Sequence, residues 1–102
     1  MNKSITFYLM FFFISSYIFS QGGIKGTVTN EFDENISQAD VYIESLAKGT
    51  ISDDNGKFEL TNIKDGTYVV SFSYMGYTTF KKEVTISGEI IDLVISLNQI
   101  LN

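Results

Sequence analysis

The 102-residue chain has no cysteine, no histidine and no proline, and its 7 basic residues face 12 acidic ones. Without cysteine there is no disulfide framework to support a small core, no thiolate nucleophile, and no residue to carry a lipid anchor on a mature N-terminus. Without His and Cys the commonest groups for general acid–base and nucleophilic catalysis are missing, and the serines and threonines fall on strand-like faces or in turns with no recognisable base. The acidic balance disfavours nucleic acid and anionic membrane as partners. The lysines are scattered, with only Lys81 and Lys82 adjacent, and read as solvated strand faces and edge protection. The lack of proline leaves every strand-like run unbroken by that route.

What is present begins with a leader. Met1-Asn2-Lys3 supplies one positive charge, and Ile5 to Phe19 then runs apolar with only Thr6, Ser15 and Ser16 interrupting. This is the pattern of a secretory signal peptide over residues 1–20, with cleavage after Ser20 leaving Gln21 at the mature N-terminus. The apolar run falls short of the about 20 residues that a membrane span needs, and no basic stop-transfer cluster follows it. A retained N-terminal anchor is the rival reading, and no transmembrane span is expected in residues 21–102. That mature part keeps six basic residues against twelve acidic ones and is long enough for one small domain.

After the leader the chain reads as short strands punctuated by turns. Ile24 to Thr29 alternates with Ile24 and Val28 inward, Asn30 to Gln38 is a polar loop, and Ala39 to Ser45 resumes the alternation with Val41 and Ile43 on one face. Lys48 to Ser52 leads into Asp53-Asp54-Asn55-Gly56, and Lys57 to Leu60 returns, a strong hairpin signal because Gly accepts the positive φ of such turns. Gly66 to Tyr74 is the clearest strand, predicted as a central one with Tyr68, Val70, Phe72 and Tyr74 facing the core. Tyr77 to Ile86 places Lys82 on the same face as Phe80, Val84 and Ile86, which marks an edge strand or a snorkelling lysine. Ile91, Leu93, Ile95 and Leu97 line the last strand, and the apolar Ile100 and Leu101 beyond it suggest a docked tail or a continuing chain. Seven strands spaced by turns, with no sustained helical period, predict an all-β sandwich or barrel.

Two residue groups invite a functional reading. Asp53, Asp54, Asn55 and Gly56 cluster oxygen ligands as calcium requires, but with Gly56 at the sixth loop position the first and twelfth fall on Ile51 and Asn62, so both key carboxylates are missing. The adjacent Asp53 and Asp54 also point apart in a turn, a poor geometry for a glycosidase pair. No catalytic, cofactor-binding or metal residue is assigned, and no cofactor is expected. Tyr42, Tyr74 and Tyr77 could stack on sugars; ordinary sheet packing instead makes Tyr74 a core residue and the other two partly exposed cross-strand neighbours.

Gly26-Thr27-Val28, Ala39-Asp40-Val41-Tyr42-Ile43, Gly49-Thr50, Ser52-Asp53-Asp54-Asn55-Gly56-Lys57-Phe58, Gly66-Thr67-Tyr68 and Ser73-Tyr74-Met75-Gly76-Tyr77 together resemble the carboxypeptidase regulatory-like domain. The resemblance covers nearly all of residues 21–102 and implies a seven-stranded transthyretin-like β-sandwich. In that family the module often follows the signal peptide of TonB-dependent outer-membrane receptors of the SusC type in Bacteroidetes-like bacteria, and it also precedes peptidases and other envelope proteins. The TonB-box region, plug and large barrel of such receptors are not present in these residues, and the zinc domain that carries carboxypeptidase chemistry is not present either. The implied role is a non-enzymatic envelope module, on the periplasmic side of the outer membrane or secreted, with an envelope protein as partner. A stand-alone carbohydrate-binding module with a glycan ligand is the alternative.

Overall fold

A computed structural model of the chain describes residues 21–101. The leader predicted over residues 1–20 lies outside the described residues. Seven strands form two sheets: β1 (Gly22–Asn30), β2 (Asp40–Ile43), β3 (Lys48–Ile51), β4 (Lys57–Ile63), β5 (Gly66–Ser73), β6 (Phe80–Ile86) and β7 (Ile90–Leu97), with one 3-10 turn at Glu44–Leu46. The three-stranded sheet has the order β4-β1-β7 and the four-stranded sheet β3-β2-β5-β6.

The alternation read from the sequence is what closes the sandwich. Ile24 and Val28 of β1, Phe58 and Leu60 of β4, and Leu93, Ile95 and Leu97 of β7 face Val41 and Ile43 of β2, Val70 and Phe72 of β5, and Val84 and Ile86 of β6. Phe58 meets Phe72 edge-on across the two sheets at 5.6 Å between ring centroids, a geometry that aromatic quadrupoles favour. β6 is an edge strand, as its lysine signalled: Lys82 pairs with the buried Val70, so it sits on the core-facing side, yet its side chain is exposed. An inward-pointing charge of this kind blocks a further strand from adding there.

Several expectations change in the structure. The Asp53–Gly56 turn does form: Gly56 N–H donates to the Asp53 carbonyl at 2.9 Å, and the Asp53 carboxylate accepts from the N–H groups of Asn55 and Lys57. The strands it joins nevertheless belong to different sheets, so the feature is a corner and not a hairpin. Gly56 has φ +76° and lies so close to β1 that a Cβ would come within 2.6 Å of the Val28 carbonyl oxygen. β4 runs on to the buried Ile63, three residues beyond the predicted end of the returning strand at Leu60, because a bulge at Asn62 (φ +61°) lets the strand continue beside Gly22. β6 begins at Phe80, and Tyr74 falls beyond the end of β5, partly exposed and outside the core. β1 pairs in parallel with β7, from Gly23 opposite Ile90 to Asn30 opposite Leu97, a partnership that local sequence does not signal.

The corner is held by Ser52, 1% exposed. Its hydroxyl donates to the Ile36 carbonyl at 2.6 Å and accepts from the Ala39 N–H at 2.9 Å, while its own N–H and carbonyl bond Ala39 and Gln38. Removing the hydroxyl strands two buried backbone groups. Ser52→Ala should therefore lower unfolding stability by about 1–3 kcal/mol in chemical denaturation. Gly26→Ala, whose Cβ would run into the Leu93 carbonyl oxygen of β7, should be more damaging still.

Candidate functional site

Loops gather at the two ends of the sandwich. At the end where β1 and β7 finish, the Asn30–Gln38 loop, the Ser52–Gly56 corner, the Tyr74–Thr79 loop and the tail after Leu97 come together. Gln99 N–H donates to the Glu31 carboxylate at 2.9 Å, Thr78 N–H to the Asn98 carbonyl at 2.8 Å, and Ile100 N–H to the Gly76 carbonyl at 2.9 Å. The tail is thus docked by its backbone, while the side chains of Ile100 and Leu101 remain exposed. Asn30 folds the first loop around itself, its side-chain oxygen accepting from the N–H groups of Phe32 and Glu34. At the opposite end the Asp65 carboxylate accepts from Gly88 N–H at 2.7 Å, and the Tyr68 hydroxyl donates to the Lys64 carbonyl at 2.7 Å.

The acidic corner is occupied by its own turn. The Asp53 carboxylate caps two backbone N–H groups, and Asp54 accepts from the Ser37 hydroxyl at 3.1 Å. Among the described residues no group of three or more His, Cys, Asp or Glu side chains is arranged to hold a metal ion.

The three tyrosines do not form one surface. Tyr74 and Tyr77 stack obliquely at the tail end, 5.8 Å apart with ring planes 49° from parallel, and the Tyr77 ring leans on the core. Tyr42 lies elsewhere, on the outer face of the four-stranded sheet, 43% exposed. Its position follows from Gly49, its cross-strand partner on edge strand β3: a Cβ built on Gly49 would meet the Tyr42 ring at 2.8 Å, so the ring covers the glycine backbone. Aromatic cover of a glycine on the neighbouring strand compensates for its missing side chain. On the other side Tyr42 faces Ser71, and Asp40 faces Ser73. The small residues leave an open depression of about 710 Å³ around the ring, lined also by Ile51. Sequence reasoning singled out Tyr42 as an aromatic but missed Gly49; the signal was Gly49 two residues into a strand otherwise free of glycine.

The strand edges differ in how they are closed. Lys48 reaches from β3 to the bulge of β4, donating to the carbonyls of Thr61 and Asn62 at 2.6 and 2.9 Å. β6 carries Lys81 and the inward Lys82. β7 has eight residues, one charge at Asp92, and among the described residues a neighbour only on its β1 side. Its outward Val94 is 85% exposed.

A family model, the CarboxypepD_reg-like domain, matches residues 24–101, from the first core residue of β1 to the docked tail. The chain belongs to this family. The CarboxypepD_reg-like fold seen here is shared with solved structures of diverse proteins. A type II cohesin–X-dockerin complex from Acetivibrio cellulolyticus contains a chain similar over 74% of this one and 56% of its own length, with TM-score 0.67 and 21% identity. A proposed carbohydrate-binding protein from Bacteroides uniformis is similar over 76% of this chain and 41% of its own, at TM-score 0.58 and 13% identity. A 3-chlorocatechol 1,2-dioxygenase from Rhodococcus opacus is similar over 79% and 61%, at TM-score 0.59 and 8% identity. The chain spans little more than half the length of the first of these. At such identities the likeness is one of fold, and a fold shared by an enzyme and by binding proteins assigns neither role. None of the curated proteins matches this chain in sequence. No helix among the described residues is long and apolar enough to cross a membrane, which says nothing of barrels crossing with strands.

With the corner carboxylates engaged by the turn, calcium at millimolar concentration should leave the thermal midpoint of the protein unchanged and evolve no binding heat in calorimetric titration.

Proposed function

We propose that the chain is an exported, non-catalytic interaction module of the bacterial envelope. In this reading residues 1–20 are a cleaved leader, and residues 21–102 are the N-terminal accessory domain of a TonB-dependent receptor of the SusC type, or a free-standing relative, facing the periplasm. Membership of the CarboxypepD_reg-like family supports a module of this kind, and the observation that carries its mode of action is the open edge of β7. An eight-residue strand with one open edge, a single charge and an exposed Val94 is a ready template for an added strand. An extended segment of an envelope protein would gain its affinity from main-chain hydrogen bonds to β7. Its specificity would come from alternate side chains meeting Ile90 and Val94 on the outward face. The neighbouring edges are guarded by Lys48 and Lys82, which directs addition to β7.

Two measurements test this. Immunoblotting of fractionated envelope with an antibody against residues 22–102, followed by intact-mass analysis, should find the leader absent and the domain in the envelope. A band several times larger in the outer membrane identifies the receptor, and a soluble species of mature length the free-standing relative; a cytoplasmic species would overturn the proposal. In pull-downs the Val94→Lys variant should lose an envelope protein that the parent chain enriches. Its stability should stay within about 0.5 kcal/mol of the parent because the site is exposed.

A further inference from the structure

We infer that the outer face of the β3-β2-β5-β6 sheet is a binding site for a neutral hexopyranose unit of a glycan, built on the Tyr42 ring. This face is distinct from the β7 edge and lies on the other sheet, so the inference stands apart from the protein-docking role.

The argument starts from how Tyr42 is held. The Cδ1 side of the ring lies against Gly49, a contact in the free protein that reduces the side-chain entropy left to be lost on binding. The side turned to solvent is not overlaid by a bulky neighbour, because the flanking cross-strand positions are Gly49 and Ser71. A flat aromatic surface of this size suits the apolar C–H face of a pyranose.

Polar groups surround the ring at sheet spacing. Ser71 lies directly opposite Tyr42, Ser73 directly opposite Asp40, and Asp40 is two residues along β2 on the same face. Cross-strand neighbours stand about 5 Å apart and same-face neighbours on one strand about 7 Å apart. A carboxylate and two hydroxyls therefore border one edge of the platform, able to accept from and donate to ring hydroxyls of a stacked sugar. A site made of one apolar face and a few convergent polar groups in an open depression of about 710 Å³ is what an oligosaccharide unit requires and what a purely apolar ligand would not satisfy.

Charge narrows the class. Asp40 borders the ring directly while Lys81 stands one strand further out, opposite Ser71, and the chain as a whole carries a net charge of −5, so neutral sugars are favoured over uronic and sialic acids. The depression is open and the sheet is short, which fits one or two sugar units of a longer chain.

The test is titration of the full chain with neutral gluco-, galacto- and manno-oligosaccharides, followed by amide NMR shifts. Saturable shifts confined to Asp40–Ile43, Lys48–Ile51 and Ser71–Ser73 are expected with at least one of these sugars. Tyr42→Ala should weaken that binding by about tenfold or more, the size of loss typical of a central aromatic anchor. Because Tyr42→Ala also uncovers Gly49, the second variant is Asp40→Ala, which leaves the ring in place and should weaken binding severalfold with the thermal midpoint unchanged. Tyr77→Ala, at the tail end, should bind as the parent does. The inference is overturned if none of the three sugar series gives saturable shifts at millimolar concentration. It is equally overturned if Tyr42→Ala lowers stability while binding is retained, since Tyr42 would then serve only to cover Gly49.

Discussion

The corner at Ser52 is the point on which the two-sheet arrangement rests. Between Ile51 and Lys57 the backbone leaves one sheet and enters the other, and at such a crossing its polar groups lose the ladder partners that strands provide. Ser52 restores them from the inside, with its hydroxyl joining the Ile36 carbonyl to the Ala39 N–H and its main chain bonding Ala39 and Gln38. The same junction positions the start of β2 and brings Gly56 against Val28 of β1, so both sheets are referenced to one buried hydroxyl. A small domain with no disulfide has few other means of fixing the relative placement of its sheets.

From that corner the surfaces of the module follow. Because β3 and β4 diverge, each becomes an edge of its own sheet, and Lys48 bridges the gap by binding the bulge carbonyls of β4. The opposite flank is closed differently: β6 presents lysines, while β7 carries a single charge and stays open. Edge protection is thus unequally distributed over the molecule, and the unguarded strand is the one whose other side is paired in parallel to β1. Such asymmetry is what a module needs if it is to add one partner strand and refuse others.

The CarboxypepD_reg-like family match and the fold-level relatives bear on function in different ways. The family covers the described strands almost completely and characterises the chain as a regulatory-like β-sandwich. The solved structures share the sandwich with cohesin–dockerin, carbohydrate-binding and dioxygenase proteins, which shows how little the architecture itself commits to a chemistry. The candidate surfaces of this chain lie in particular residues: the exposed Val94 on β7, and Tyr42 beside Gly49 among Asp40, Ser71 and Ser73.

The all-β class, the seven strands and the facing of most of their side chains, though not of Tyr74, are legible in the residue pattern, because alternation with a period of two is a local property that survives whatever a strand pairs with. The pattern also narrowed β6 to an edge strand or one with a snorkelling lysine, since Lys82 among Val84 and Ile86 can be accommodated only where solvent is near, and the sheet order makes it an edge. Which strands are neighbours was set by packing between distant parts of the chain. The turn chemistry of Asp53–Gly56 is the same whether its strands pair or part, and the parallel union of β1 with β7 joins opposite ends of the described chain through packing that no local pattern encodes. The two candidate surfaces depend on those pairings: the Tyr42 ring stands clear of bulky cross-strand neighbours because Gly49 and Ser71 come to lie beside it, and Val94 lies on an open edge because β7 has no partner beyond β1 among the described residues.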